Sequence, residues 1–423
     1  MTEITEVPSP FCGIGTDDLT IHVDGLQVKV AAGGCAVNTP AFELPLGDPE
    51  PRIAGEPATL EAAVAKAAEL LRGKRGPVFS GCATDVNGMR ALLALADRVG
   101  AVVDNAAFNN ARRNLLAQQD TGWMNTTLAE LKNRVDVLVV IGTDLESFAP
   151  RFFEKYVWNE AMFVADNEQR DVIYIGKAPS GEASTSPGGR KARVCACSDA
   201  DLPEVLAVMS ALLRGRPVKV ESVGGIAVSD LQAILDRLKA ARYGVFVWGA
   251  AALAFPHAEL TVQTVCAIVK DINLQGVRCS GFPLGGREGD QTANQVCGWT
   301  TGYPARLSYA RGFPEYDPFQ FETARILADG EADALLWVQA FNVTPPPASE
   351  VPTVVIGRSG MAFAQPPAVY IPVGTPGIDH VGHAFRLDNV VAIRLKKLRD
   401  SNLPSTAQVL AAIEQQVQAH YVN

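Results

Sequence analysis

Histidine is scarce in this chain: five among 423 residues, at positions 22, 257, 380, 383 and 420. Only His380 and His383 fall close together. No cysteine stands near them, so the pair reads as loop packing rather than a zinc centre. Cysteine is present but scattered, at 12, 35, 82, 195, 197, 266, 279 and 297, which makes no disulfide framework in a chain of this size. Cys195-Ala-Cys197 is too tight for a zinc knuckle and has no second pair, so alternating burial along a strand accounts for it. The Gly-x-Gly-x-x-Gly fingerprint is missing. Gly13-Ile-Gly15 has no third glycine at the required spacing and no strand–helix–strand context before it, which removes a nicotinamide-binding reading. The sequence also holds no P-loop and no nucleophile elbow.

Basic charge is short as well. The net charge is −9 and the pI about 5.2, which gives no support for nucleic-acid binding. The one basic cluster, from Arg394 to Arg399, interleaves with apolar residues and reads as a solvated strand end or turn. No run reaches the about 18 apolar residues of a membrane span. The acidic stretch from Met1 to Glu6 has no apolar segment of the kind a signal peptide carries. The expected setting is reducing cytoplasm, with no membrane and no nucleic acid as partner.

What is present is core material. Apolar residues make up 48% of the chain and charged residues 20%, enough for about two to three domains. Strand-like runs at 20–23 and 26–30 flank Asp24-Gly25, a hairpin signal. Prolines 45, 49, 51 and 57 then stiffen a linker and deny it a helix, placing a boundary near residue 55. Beyond it, helical patterns (59–71, 86–99, 202–213, from Ser229, 260–269) alternate with apolar strand runs (77–80, 101–104, 136–141, 171–175, 245–248). That alternation is the mark of a parallel, doubly wound sheet. Further strands are expected at 334–338, 353–356 and 369–371, and a last helix from a capping box at Ser405-Thr-Ala-Gln408. The stretch from 275 to 316, rich in glycine and aromatics, shows little regular pattern, which is usual for a functional or interfacial segment.

Five segments carry chemistry. Ser9-Pro-Phe-Cys12-Gly-Ile-Gly-Thr16-Asp-Asp18 places positions 9, 12 and 16 at the spacing with which three thiolates wrap a [4Fe–4S] cluster, and Cys35 stands where a fourth ligand would come from. Only Cys12 of the three is a thiol; Ser9 and Thr16 are hard hydroxyls, poor ligands for iron. The second segment is Asp104-Asn-Ala-Ala-Phe-Asn-Asn110-Ala111, read as a loop after a strand. The third runs from Leu128 through Asp136 to Gly142 and on to Pro150-Arg151. The fourth is Arg287-Glu-Gly-Asp290, followed by Gln295-Val-Cys-Gly-Trp299-Thr-Thr-Gly302-Tyr-Pro304 and Arg311-Gly-Phe-Pro-Glu-Tyr316-Asp-Pro318. The fifth is Phe385-Arg-Leu-Asp388.

Together these segments resemble, in the same order along most of the chain, the B subunit of formylmethanofuran dehydrogenase, a family of molybdopterin oxidoreductases related to formate dehydrogenase. The resemblance implies an α/β fold: a formate-dehydrogenase-like core with a small N-terminal β domain and two doubly wound α/β domains, without the C-terminal pterin-binding barrel. The implied domains are 1–55 (a degenerate iron–sulfur domain), 56–105 with 290–423, and an inserted 106–289. Carried over onto this sequence, the metal-ligating cysteine of the family falls at Asn110 and its histidine neighbour at Ala111. Two cluster cysteines are absent, leaving Cys12 and Cys35 as vestigial positions. No catalytic residue and no bound metal are expected. Asn110, Arg287 and Asp290 are the candidates to line a vestigial pocket.

These losses resemble those of the redox-inactive B subunit of bacterial formyltransferase/hydrolase complexes. Such a complex moves a formyl group from tetrahydromethanopterin to a methanofuran-like carrier and releases formate in one-carbon oxidation. The resemblance implies a structural subunit, without cofactor of its own, beside an amidohydrolase-like A subunit, a C subunit and a formyltransferase D subunit. Two other readings stay open at this point. One is an active tungsten or molybdenum enzyme with an oxygen ligand such as Asp104 or Asp120. The other is a module in which Arg287 binds an anion or the acidic tail of the carrier.

Overall fold

The computed structural model describes residues 1–14, 16–160, 163, 169–285 and 289–419. The chain divides into two compact units, Met1–Phe108 with Arg287–Asn423, and Asn109–Gly286. Both are mixed α/β.

The first unit is built on a nine-stranded sheet. Its middle is parallel and runs Val102–Val103, Pro77–Ala83, Ala334–Gln339, Thr353–Arg358, Val369–Val373. These strands are almost continuously apolar and buried, as a sheet covered on both faces requires. Short antiparallel strands finish both edges: Leu307–Ser308 and Glu315–Tyr316 on one side, Arg52–Ile53 and Glu56–Pro57 on the other. The proline-rich linker thus contributes an edge, the one place in a sheet where Pro57 costs no ladder bond. Helices Leu60–Leu71 and Val86–Val99 both pack on the final helix Thr406–Ala419. That helix opens on the expected capping box: Ser405 Oγ accepts from Gln408 N at 3.2 Å, and Gln408 Oε1 accepts from Ser405 N at 2.8 Å.

A three-stranded antiparallel sheet, Thr2–Val7, Leu19–Asp24 and Gln27–Ala32, belongs to the same unit. Its Val7, Leu19, Ile21 and Val28 share a core with Ala83, Phe341, Ile378 and Leu395.

The second unit holds an all-parallel five-stranded sheet ordered Arg193–Ala196, Asp171–Gly176, Val137–Ile141, Gly244–Gly249, Cys279–Leu284. Helices Leu202–Leu213, Val228–Lys239 and Ala258–Leu274 contribute to its core, for example through Leu206, Leu235 and Val265. Trp248 is buried there with its indole Nε1 donating to Asn114 Oδ1 at 2.8 Å.

Three local expectations change. The segment 275–316 is more regular than its composition implies, holding the strand Cys279–Leu284 and the helix Asp290–Thr301. The strand tolerates Gly281 and Pro283 because it lies at the sheet edge. The helix buries Ala293, Val296 and Cys297, a stripe hidden among glycine and polar residues. Ser229-Asp-Leu-Gln232 fits a capping box in sequence, but none forms, because the cap falls two residues earlier at Ala227, which has no capping side chain. Arg399, expected on a solvated turn, is buried and its Nε pairs with Asp379 at 2.8 Å.

Candidate functional site

In an open parallel sheet, ligands sit beyond the carboxyl ends of the strands, where the strand order reverses. In the nine-stranded sheet the reversal falls between Pro77–Ala83 and Ala334–Gln339. The pairing slips there, from Trp337↔Ser80 to Gln339↔Ala83. Gly81 makes the slip possible: it has φ +83°, and a Cβ on it would lie 2.5 Å from the Val338 carbonyl oxygen. Cys82 follows at φ 59°, its thiol aimed at the Asp104 carbonyl oxygen at 3.4 Å. Burial pushes that thiol well above its usual pKa, so it rests there as a neutral thiol. Asp85 is spent on capping helix Val86–Val99, with Oδ1 accepting from Gly88 N at 3.0 Å.

The N-terminal loop, the helix that starts at Asp290 and the Phe385–Asp388 segment come together at this edge. A Cβ on Gly289, at φ +87°, would meet the Thr84 oxygen at 3.0 Å and a Phe341 ring carbon at 3.1 Å. The start of helix Asp290–Thr301 is therefore pressed into the crevice. Asp290 is buried in its first turn, where a carboxylate meets the positive end of the helix, and it accepts from Asn294 Nδ2 at 3.2 Å. Thr292 on the same helix accepts from Phe385 N at 2.8 Å, and Leu387 N donates to the Gly13 carbonyl at 2.8 Å. Phe11, one residue before Cys12, packs edge-on against Phe341 at 6.2 Å and Phe42 at 5.0 Å.

Within the loop, Cys12 Sγ lies 3.1 Å from Thr16 Oγ1, Ser9 N donates to the Thr16 carbonyl at 2.7 Å, and Ser9 Oγ accepts from Phe11 N at 3.2 Å. Ser9, Cys12 and Thr16 are all buried. The three cluster-spaced positions are thus together, but they bond to one another. Cys35 is half-buried at the start of helix Asn38–Glu43: its Sγ accepts from Asn38 N at 3.4 Å, and its own N–H donates to Asn38 Oδ1 at 2.8 Å. Two hydroxyls and a thiol already tied into the chain do not fit an iron–sulfur cluster.

Asp104 is buried behind the same edge. Its two oxygens accept from Arg306 Nε at 3.1 Å and from Thr323 N at 2.8 Å. Burial raises its carboxyl pKa, and Arg306 and Thr323 oppose that rise. Arg306 also pairs with Glu322 at 3.2 Å, donates to the Pro318 carbonyl, and lies 4.7 Å over the Phe108 ring. Both Asp104 oxygens are therefore already engaged within the chain. Asp120 is exposed in the second unit and accepts from Gln263 at 3.0 Å. Neither is poised as a metal ligand.

Asn110 is half-buried on helix Phe108–Thr121, in the second unit. The expected loop is shorter than the sequence implies, because Asn105 closes a turn at once: its Oδ1 accepts from Ala107 N at 2.7 Å and its carbonyl from Phe108 N at 2.9 Å. An amide at position 110 supplies no anionic ligand for tungsten or molybdenum. Arg287 lies outside the described residues.

Sequence reasoning missed three residues of this edge. Arg306 is one. Arg358 is buried at the end of its strand and donates to the carbonyls of Phe341 at 3.1 Å and Ala41 at 2.9 Å. Gln339 is buried with an Oε1 that accepts no hydrogen bond. The signal for the last two was present: each is a polar residue ending an apolar strand run.

Fold and site together define a class: a mixed α/β protein whose cluster-spaced loop positions carry two hydroxyls and one thiol. No family model matches the chain. Among curated proteins, the B subunit of the formyltransferase/hydrolase complex Fhc from Methylorubrum extorquens is 30% identical over 370 residues, covering 85% of this chain and 95% of that protein. The B subunit of tungsten-containing formylmethanofuran dehydrogenase 2 from Methanocaldococcus jannaschii is 26% identical over 418 residues, and its counterpart from Methanococcus maripaludis 24% over 421, each match covering 94% of both chains. Among solved structures, the formyltransferase/hydrolase complex FhcABCD of Methylorubrum extorquens, crystallised with methylofuran, contains a chain that matches with a TM-score of 0.75 at 27% identity, over 88% of this chain and 100% of that one. The chain belongs to the family of B subunits shared by formylmethanofuran dehydrogenases and formyltransferase/hydrolase complexes. Among the described residues, no helix is long and apolar enough to cross a membrane.

Proposed function

We propose that this chain is the non-redox, structural B subunit of a formyltransferase/hydrolase complex. That complex passes a formyl group from tetrahydromethanopterin to a methanofuran-like carrier and releases formate. The observation that carries this reading is the N-terminal loop, where the Cys12 thiol is tied to the Thr16 hydroxyl and the Ser9 hydroxyl to the Phe11 N–H. Asn110 supports it, because an amide cannot take the place of a thiolate at the metal. Residues 1–55 are then the remnant of an iron–sulfur domain, and the two sheet-based parts the remainder of a formate-dehydrogenase-like core without its barrel.

The solved relative is a multi-protein complex that holds methylofuran, which supports a methanofuran-type carrier for the assembly. The partners in this reading are an amidohydrolase-like A subunit, a C subunit and a formyltransferase D subunit. Trp299, Tyr303, Phe313 and Phe319 of the first unit are exposed aromatics of the kind that anchor protein interfaces.

Co-expression with and without the partner subunits tests the proposal. Formate release should require this chain, and the purified assembly should contain no stoichiometric iron, tungsten or molybdenum attributable to it. A soluble monomer carrying about one metal or cluster per chain, as the family's redox members require, would overturn it.

A further inference from the structure

The second unit has a basic cleft that the proposed function does not use. It measures about 400 Å³ and lies against the starts of strands Asp171–Gly176 and Arg193–Ala196 and the last turn of helix Val228–Lys239. A cavity of that size suits a small ligand. It sits away from the carboxyl strand ends, so it is not the crevice in which a parallel sheet holds a nucleotide.

Its charge is one-sided. Arg170, Arg190, Lys191, Arg193 and Arg237 line it, and among the described residues the one lining carboxylate is Asp171. Asp171 is shared: Arg190 pairs with one of its oxygens, and Arg237 Nε lies 2.5 Å from the other. Arg193 pairs with Asp230 at 2.7 Å, and Lys191 approaches Glu182 only at 3.7 Å with both side chains exposed. The excess stands out in a chain whose net charge is −9.

Arg170 is the second observation. It is only 1% exposed, and its terminal nitrogens donate to three backbone carbonyls, of Tyr156 at 3.1 Å, Val157 at 2.5 Å and Lys132 at 2.5 Å. Its Nε has no hydrogen-bond partner. Among the described residues no carboxylate is hydrogen-bonded to it, Asp136 acting only through its charge, and burial lowers its pKa, as expected of a cation that is costly to bury. An oxyanion in the cleft would supply the missing charge, and guanidinium forks match carboxylate and phosphate oxygens in pairs.

We propose that this cleft binds a small, multiply charged oxyanion, a phosphate ester or an oligocarboxylate. The test is calorimetric titration of the full chain, purified with whatever partners it brings, using pyrophosphate in one arm and citrate in the other. Saturable one-to-one binding that weakens as potassium chloride is raised is expected in at least one arm. Binding of pyrophosphate alone identifies a phosphate ligand, and of citrate alone a carboxylate. The paired substitutions Arg190→Gln and Lys191→Gln touch exposed side chains and should weaken binding about tenfold or more. Asp171→Asn removes the competing carboxylate and should tighten it, an effect that general loss of structure does not produce. Silence in both arms overturns the proposal, as does binding that neither set of variants changes.

Discussion

Arg306 and Arg170 are the same residue type at the same depth, each 1% exposed, in opposite surroundings. Arg306 has two carboxylates, a carbonyl and an aromatic face around it. Arg170 has backbone carbonyls and an unpaired Nε. A buried charge is tolerable when it is paired and fully hydrogen-bonded, and expensive otherwise. The charge of Arg306 is therefore answered from within the chain. The cleft around Arg170 is only partly answered from within the chain.

The largest effect is expected from Asp104→Ala. It removes one of the two carboxylates that pair with Arg306 and leaves Thr323 N–H without its acceptor, and should cost about 3–5 kcal/mol in urea unfolding. A loss below about 1 kcal/mol would mean that the network behaves like a surface ion pair. Next comes Arg170→Met, which keeps the volume and removes the cation. Stranding buried carbonyls should destabilise the chain, but relief of a poorly paired charge offsets part of that, leaving about 1–3 kcal/mol. If it costs as much as Asp104→Ala, the contrast between the two arginines fails and Arg170 is purely structural.

A smaller effect is expected at the loop. Ser9→Ala removes the acceptor of a buried Phe11 N–H and should cost about 1 kcal/mol, read from the shift in urea midpoint. The smallest is a pH effect. Burial raises the Asp104 pKa above 3.8, so the folded chain holds that proton more tightly than the unfolded chain. Its contribution to stability is complete below pH 3.8 and is lost as pH rises through the raised value. Stability curves for the wild type and Asp104→Asn should therefore diverge in the variant's favour over that window. Parallel curves would show that Arg306 and Thr323 cancel the effect of burial.

The α/β class was legible because strand runs such as 137–141 and 334–338 are continuously apolar and the helices between them carry apolar stripes. Family membership was legible because Trp299, Gly302, Tyr303, Pro304 and the Phe385–Asp388 segment stand at characteristic spacings, which need no coordinates to read. The hydroxyls of Ser9 and Thr16 and the amide of Asn110 were legible too, since side-chain identity is a covalent fact.

Other features were decided only by tertiary structure. The helix Asp290–Thr301 was hidden because burial of Val296 and Cys297 comes from neighbours distant in sequence. Asp104 and Arg306 are about two hundred positions apart, and nothing local shows that one answers the other. Arg170 and Arg193 likewise come to one cleft only because their strands are neighbours in the sheet. Periodicity and covalent chemistry are properties of the chain as written. Charge pairing and burial depend on distances that exist only after folding.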